Sequence, residues 1–270
     1  MRVFVVVAVL LGVVGARASA QSYAAFGFKP SAEFAMPAFR DDEIAGFMGT
    51  LDRLLATDTR ADSWTEALRQ FARRLQTGRL SAAQEQKVLA HLDQIGTTSA
   101  AAKAAIAGPR RMIRDLTIGK TAPDVTGTDL DGRAFRLSDY RDRVVVLEFS
   151  AEWCGICRSQ EPYQRFLLDR YEKWPFALLG VQTGSSREAA RQAQLAGPLS
   201  HRSWWDAPTP GEANGPIAGA WNVIGWPATY VIDGDGVIRF VDVRDEDLLR
   251  AVRQLVDAQV DRDIKAKRTK

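Results

Sequence analysis

The sequence predicts an α/β protein: a mixed sheet flanked by helices, preceded by a small all-α segment. Three observations predict it. Between residues 41 and 107 apolar side chains recur at helical spacing. From Thr117 onward, short apolar runs alternate with helical stretches. One of those runs, Val144–Phe149, is apolar throughout except for Glu148, the pattern of a central strand buried on both faces.

The elements follow in order. Met1-Arg2 opens an apolar run from Val3 to Ala16, and Ala18-Ser19-Ala20 then offers small residues at the −3 and −1 positions of a cleavage site. Residues 1–20 therefore read as a secretory signal peptide. The apolar run has 14 residues, against the roughly 20 that span a bilayer, so an uncleaved anchor is the lesser alternative. No cysteine stands near the cleavage site, which excludes lipid attachment there, and no later stretch is apolar enough to span a membrane. The expectation is an exported protein, soluble after cleavage, in the bacterial periplasm.

Residues 21–40 hold Gly27, Pro30 and Pro37 without periodicity and read as a loose lead-in. Residues 41–110 read as a helical domain. Ile44, Phe47, Met48, Leu51, Leu54 and Leu55 form the first stripe. Ser63 with Glu66 makes a capping box, followed by Trp64, Leu68, Phe71 and Leu75 on one face and a stop at Gly78. Ser81 with Gln84 makes a second box before Val88, Leu89, Leu92 and Ile95, with Gly96 at the end. An Ala-rich helix, Ser99 to Ala107, is expected to stop at Gly108-Pro109. His91 has no second ligand one turn away and reads as structural.

Residues 117–260 read as the α/β domain. Asp131-Gly132 predicts a hairpin between Val125-Thr126 and Phe135–Leu137. After Val144–Phe149 come a helix from Cys157 to Lys173, a strand from Phe176 to Val181 and a helix from Ser186 to Ala196. Ser203–Asp206 and the Gly/Pro-rich stretch 208–215 read as a loop that either walls a groove or packs as a surface insertion; His201 beside it reads as a surface residue. Ala228–Ile232 and Val237–Val241 form a final hairpin, and Asp247 to Val260 a closing helix. Residues 261–270 read as a solvated basic tail.

Composition excludes some function classes. Hydrophobic residues are 46% and charged residues 26%, which suits a packed soluble domain and not a disordered chain. Residues 1–20 hold Arg2 and Arg17 and no acid, so the remainder carries 34 basic against 33 acidic residues. A nucleic-acid binder would normally show a basic patch beyond this balance, and the five basic residues within 262–270 read as a solvated tail.

The chain has two cysteines, Cys154 and Cys157, in Trp153-Cys154-Gly155-Ile156-Cys157. A disulfide closing so short a loop adds little stability, so the pair's value lies in its chemistry. Cys154 is placed at a helix N-terminus, where unpaired N–H groups favour the thiolate. Cys157, one turn on, is expected to lie deeper and to attack a mixed disulfide on Cys154.

These residues resemble the thioredoxin superfamily, and within it the exported TlpA/ResA-type thiol–disulfide oxidoreductases. The resemblance is carried by Gly119–Asp124, Leu137–Tyr140, Glu148–Arg158, Pro162 and Gly225–Asp233, and covers residues 117–260. It implies a thioredoxin-like fold, a redox-active Cys154–Cys157 disulfide, and a cis-proline at Pro227. The backbone before that proline pairs with an extended substrate segment beside Cys154. Trp153, Gly155, Ile156, Trp226 and Pro227 become the substrate-binding residues. Three positions depart from the pattern. Gly-Ile separates the cysteines where Gly-Pro is commoner, and that pair tunes the redox potential. Gln160 stands where the branch often has Glu. Trp226 is bulkier than the usual Val or Thr, and caps the dithiol or narrows the groove.

Glu148 stands where thioredoxins carry a buried acid. Desolvation in an apolar strand raises a carboxyl pKa, and such a group can take and return the proton of Cys157. The alternative is a solvated, idle Glu on a strand edge.

Three rival readings compete with this one. A thiol peroxidase of the same fold would need Pro-x-x-x-Thr/Ser-x-x-Cys, but Leu147 and Ala151 occupy those positions before Cys154. A metal site would need two more ligands, and His91 and His201 are remote in sequence. A scaffold with a vestigial dithiol fits poorly with Cys154, Cys157, Glu148 and Pro227 all present. The expectation is an exported oxidoreductase that needs no cofactor. The resemblance implies cysteine pairs of other exported proteins, including apocytochromes c, as substrates, reduction as the usual direction, and a membrane thiol protein as electron donor.

Overall fold

The computed structural model describes residues 36–57, 61–197, 201–209 and 214–268. The chain divides into two units, Met1–Glu33 and Phe34–Lys270, and the described residues belong to the second. The leader, most of the lead-in, residues 210–213 and the side chains of Leu54, Ser63, Trp64 and Glu66 lie outside the described residues.

Four helices come first: α1 (Asp41–Thr57), α2 (Ala61–Gln76), α3 (Ala82–Gly96) and α4 (Ala100–Asp115). The second capping box is present at α3. Ser81 Oγ accepts from Gln84 N at 3.2 Å, and Ser81 N donates to Gln84 Oε1 at 2.9 Å. Gly78 lies after α2 because Phe39 packs on it: a Cβ there would stand 2.6 Å from the ring.

Helix α4 does not stop at Gly108-Pro109 but runs through both to Asp115. An interior proline costs about 3 kcal/mol. Continuing the helix buries Met112 and Ile113, and carries the chain to buried Leu116, three side chains at 1% exposure or less. At about 1.5–3 kcal/mol each, that burial outweighs the proline. Gly108 admits the close approach of Asn222, whose Oδ1 would lie 2.8 Å from a Cβ.

The α/β part follows. Strands β1 (Thr126–Thr128) and β2 (Ala134–Arg136) form the hairpin, pairing Thr126 with Arg136, and Gly132 supplies φ +87° in its turn. A 3₁₀ turn at Leu137–Tyr140 leads to β3 (Val144–Ala151), buried at every position. Then come α5 (Gly155–Ser159), α6 (Glu161–Tyr171), β4 (Phe176–Thr183), α7 (Arg187–Ala196), β5 (Arg202–Trp205), α8 (Pro216–Ala220), β6 (Ala228–Ile232), β7 (Ile238–Val241) and α9 (Asp245–Arg268).

The five-stranded sheet has the order β5-β4-β3-β6-β7. Strands β3, β4 and β5 run parallel, and β6 and β7 pair antiparallel. This is a thioredoxin-like mixed sheet flanked by helices. Glu148 sits mid-strand between Gly180 and Thr229. It is not on a strand edge. Leu68, Leu75, Met112 and Ile113 of the helices share one buried cluster with Phe149, Trp221 and Tyr230 of the α/β part.

Three further expectations change. Arg202–Trp205 is an edge strand and not loop: Trp204 is fully buried and stacks on Phe135, with centroids 3.9 Å apart. The helix expected from Cys157 to Lys173 is two helices, broken at Gln160. The closing helix expected to end at Val260 runs on as α9 to Arg268, and the basic residues it carries there are mostly exposed.

Candidate active site

The end of β3 delivers residues 152–154 to the rim of the sheet. Cys154 has an extended backbone, φ −78° and ψ 98°, and caps α5. Its Sγ accepts from Cys157 N at 3.1 Å. Cys154 and Cys157 are joined by a disulfide, with Cα atoms 5.3 Å apart. Both are buried alike, at 6% and 7% exposure, so Cys157 is not the deeper of the two in this state.

Around the disulfide stands an apolar lip. Trp153 and Ile156 are 59% and 60% exposed, among the few large apolar side chains left open. Partly buried Trp226 packs on Ala151, Cys154 and Cys157. Trp153 and Trp226 meet edge to face at 5.4 Å, a favoured aromatic geometry. The Trp226–Pro227 peptide is cis, and Pro227 is buried. Gly155 is exposed, and a Cβ there would meet open space. The structure thus brings Trp153, Cys154, Cys157 and Trp226 into one patch, with Gly155 and Ile156 in the same turn.

Glu148 lies beneath this patch, 5% exposed. Burial, reinforced by the Glu161 carboxylate, pushes its carboxyl up to about 8. The positive charge of Arg244 and a hydrogen bond from Gln164 Nε2 act the other way. Glu148 and Cys157 line one cleft of about 430 Å³, together with Glu161, Gln164, Gln182 and His201. His201 is half-buried and not a surface residue; its Nδ1 is sealed without a partner, and burial lowers its pKa to about 4.

Sequence reasoning missed the residues that frame the site from afar. Gln164 follows Cys157 at a spacing that reaches Glu148, but many glutamines sit so. Gln160 pairs reciprocally with Asp245, 85 residues away: Gln160 Nε2 donates to Asp245 Oδ1 at 3.0 Å, and Asp245 N to Gln160 Oε1 at 3.1 Å. Arg244 donates from Nη2 to the Pro227 carbonyl at 3.0 Å. No local pattern marks either contact. Among the described residues, no three His, Cys, Asp or Glu side chains are grouped so as to hold a metal ion.

A disulfide at a helix start, beside an aromatic lip on a thioredoxin-like sheet, defines a thiol–disulfide exchange enzyme. Comparison with known proteins agrees. Residues 118–241 match the AhpC/TSA family. Thiol-disulfide oxidoreductase ResA of Geobacillus kaustophilus (strain HTA426) is 32% identical over 124 residues, covering 46% of this chain and 68% of that protein. ResA of Geobacillus thermodenitrificans (strain NG80-2) is 30% identical with the same coverage. Among solved structures, a putative thiol:disulfide interchange protein DsbE from Chlorobium tepidum matches at TM-score 0.45 and 26% identity, over 53% of this chain and 96% of that one. The chain belongs to the thioredoxin-like, ResA-type thiol–disulfide oxidoreductases.

Proposed function

We propose that the protein is an exported, periplasmic reductant of cysteine pairs in other exported proteins, working through the Cys154–Cys157 dithiol. The observation that carries this reading is the Cys157 N–H aimed at Cys154 Sγ beside an open apolar lip. A thiolate on Cys154 keeps that hydrogen bond, so Cys154 is the attacking sulfur. It attacks a substrate disulfide, one substrate thiolate leaves, and a mixed disulfide forms. Cys157 then gives up its proton and attacks Cys154 Sγ. The second substrate thiolate leaves, and the Cys154–Cys157 bond forms. Glu148 shares a cleft with Cys157, and its ionised form accepts the Cys157 proton. Trp153, Ile156, Trp226 and Pro227 form the platform for an extended substrate segment.

A membrane thiol protein would restore the dithiol, and apocytochromes c fit as substrates because their cysteine pairs must be reduced before haem attachment. Among the described residues no helix is long and apolar enough to cross a membrane. Export rests on the leader-like residues 1–20.

The test is a redox titration in defined dithiol buffers, followed by the fluorescence of Trp153. A potential below about −250 mV, near thioredoxin at about −270 mV, supports a reductant. A value above about −150 mV, near DsbA at about −120 mV, makes it a disulfide donor instead. The absence of any reversible transition removes the exchange reading.

A further inference from the structure

Arg244 lies in the turn that joins β7 to α9, and the exchange chemistry above does not use it. Its guanidinium donates to the Pro227 carbonyl at 3.0 Å, on one side of the disulfide. Its neighbour Asp245 is bonded in both directions to Gln160, which caps the cysteine helix α5 on the other side. The turn is held firmly. Asp242 and Asp245 adopt left-handed backbone, φ 56° and 52°, a conformation that persists only where surrounding contacts demand it. Asp242 N donates to Thr229 O at 2.7 Å, and the Asp242 carboxylate pairs with Arg73 of α2 at 2.8 Å. Thr229 is the strand partner of Glu148.

From this geometry we infer that Arg244 is a positioning residue for the exchange reaction: it holds the Trp226–Pro227 loop and presents its charge to Glu148, while Asp245 holds the end of the cysteine helix. One turn, anchored by the helical segment through Arg73, thus ties together both rims of the disulfide. The assignment rests on the thiol–disulfide exchange reading of the site.

Glu148 is faced by Glu161 and Gln164 of α6, by Arg244, and across the cleft by Cys157 and His201. Arg244 is the positive charge that favours the Glu148 carboxylate. Removing it leaves burial and Glu161 opposed only by the Gln164 hydrogen bond, so Glu148 ionises at higher pH.

The experiment measures insulin-disulfide reduction by the full chain, with dithiothreitol as donor, as kcat and KM across pH 6–10. It compares the wild type with Arg244→Met and Arg244→Lys, each with and without Glu148→Gln. In Arg244→Met the activity rise that depends on Glu148 moves up by about one pH unit, the lower end of what a close opposite charge produces. KM rises several-fold as the loop loses its anchor. Arg244→Lys keeps the charge and returns the rise to its wild-type pH. In the Glu148→Gln background the Arg244→Met shift disappears. Loss of folded protein lowers the amplitude but does not move the pH of the rise. An unmoved rise in Arg244→Met, a shift that persists in the Glu148→Gln background, or an unchanged KM overturns the assignment. A wild-type chain without exchange activity overturns the underlying function, and the assignment with it.

Discussion

Glu148→Gln should make the protein more stable and less active at neutral pH. The carboxyl ionises near 8 in the folded chain, against 4.5 for the unperturbed group. Between those values the folded state binds a proton that the unfolded state has released. Stability therefore falls as pH rises through that window. At pH 7 the interval above 4.5 is about 2.5 pH units, and each unit corresponds to about 1.36 kcal/mol. The native carboxyl thus costs about 3 kcal/mol at pH 7. At pH 4 the group is protonated in both states and costs almost nothing. Glutamine has nearly the same shape, carries no charge, and still accepts from Gln164 Nε2. For a chain of this size, 3 kcal/mol corresponds to a Tm gain of roughly 6–12 °C. The assay is thermal unfolding of the disulfide form, by circular dichroism, at pH 4, 7 and 8. The gain should be absent at pH 4 and grow from pH 7 to pH 8. An equal gain at all three values, or none at pH 8, would refute the argument from desolvation. In the same variant exchange should slow by about 10²-fold or more, the usual value of a positioned proton acceptor.

Further outcomes follow from the same geometry. Cys157→Ser should accumulate a mixed disulfide between Cys154 and the substrate, visible on non-reducing gels, whereas Cys154→Ser should form none; the reverse pattern would exchange their roles. Trp226→Val removes one wall of the lip, so KM for a protein disulfide should rise several-fold with kcat changed less than about twofold. His201 has a pKa lowered to about 4 from 6.5, so its protonation opposes folding, and its own contribution to stability falls as pH drops from 6.5 toward 4, against the opposite trend from Glu148. The stability of His201→Gln relative to the wild type should therefore rise by up to about 2 kcal/mol between pH 7 and pH 5, measured by urea denaturation of both; an unchanged difference refutes it.

Much of the site was legible because its signals are local. A continuous apolar run predicts a doubly buried strand, and β3 is buried from Val144 to Ala151. An acid within such a run must be desolvated, and Glu148 is. A Cys-x-x-Cys after the strand places its first cysteine at a helix start, where Cys154 caps α5. The Ser81–Gln84 box and the Asp131-Gly132 turn likewise depend on residues within four positions of one another.

What stayed hidden depends on partners far along the chain. Gly108-Pro109 carries a strong local stop signal, yet burial of Met112 and Ile113 carries α4 through it. Arg202–Trp205 lacks a strand pattern, yet β4 supplies its ladder and Phe135 covers Trp204. Only the folded chain brings His201 to the cleft of Glu148 and Cys157. The sequence by itself determined a dithiol at a helix start and an acid buried in the strand before it, each written in neighbouring residues. The tertiary structure alone decided how these are held, because Arg244, Asp245 and Gln160 act across a span that local periodicity does not encode.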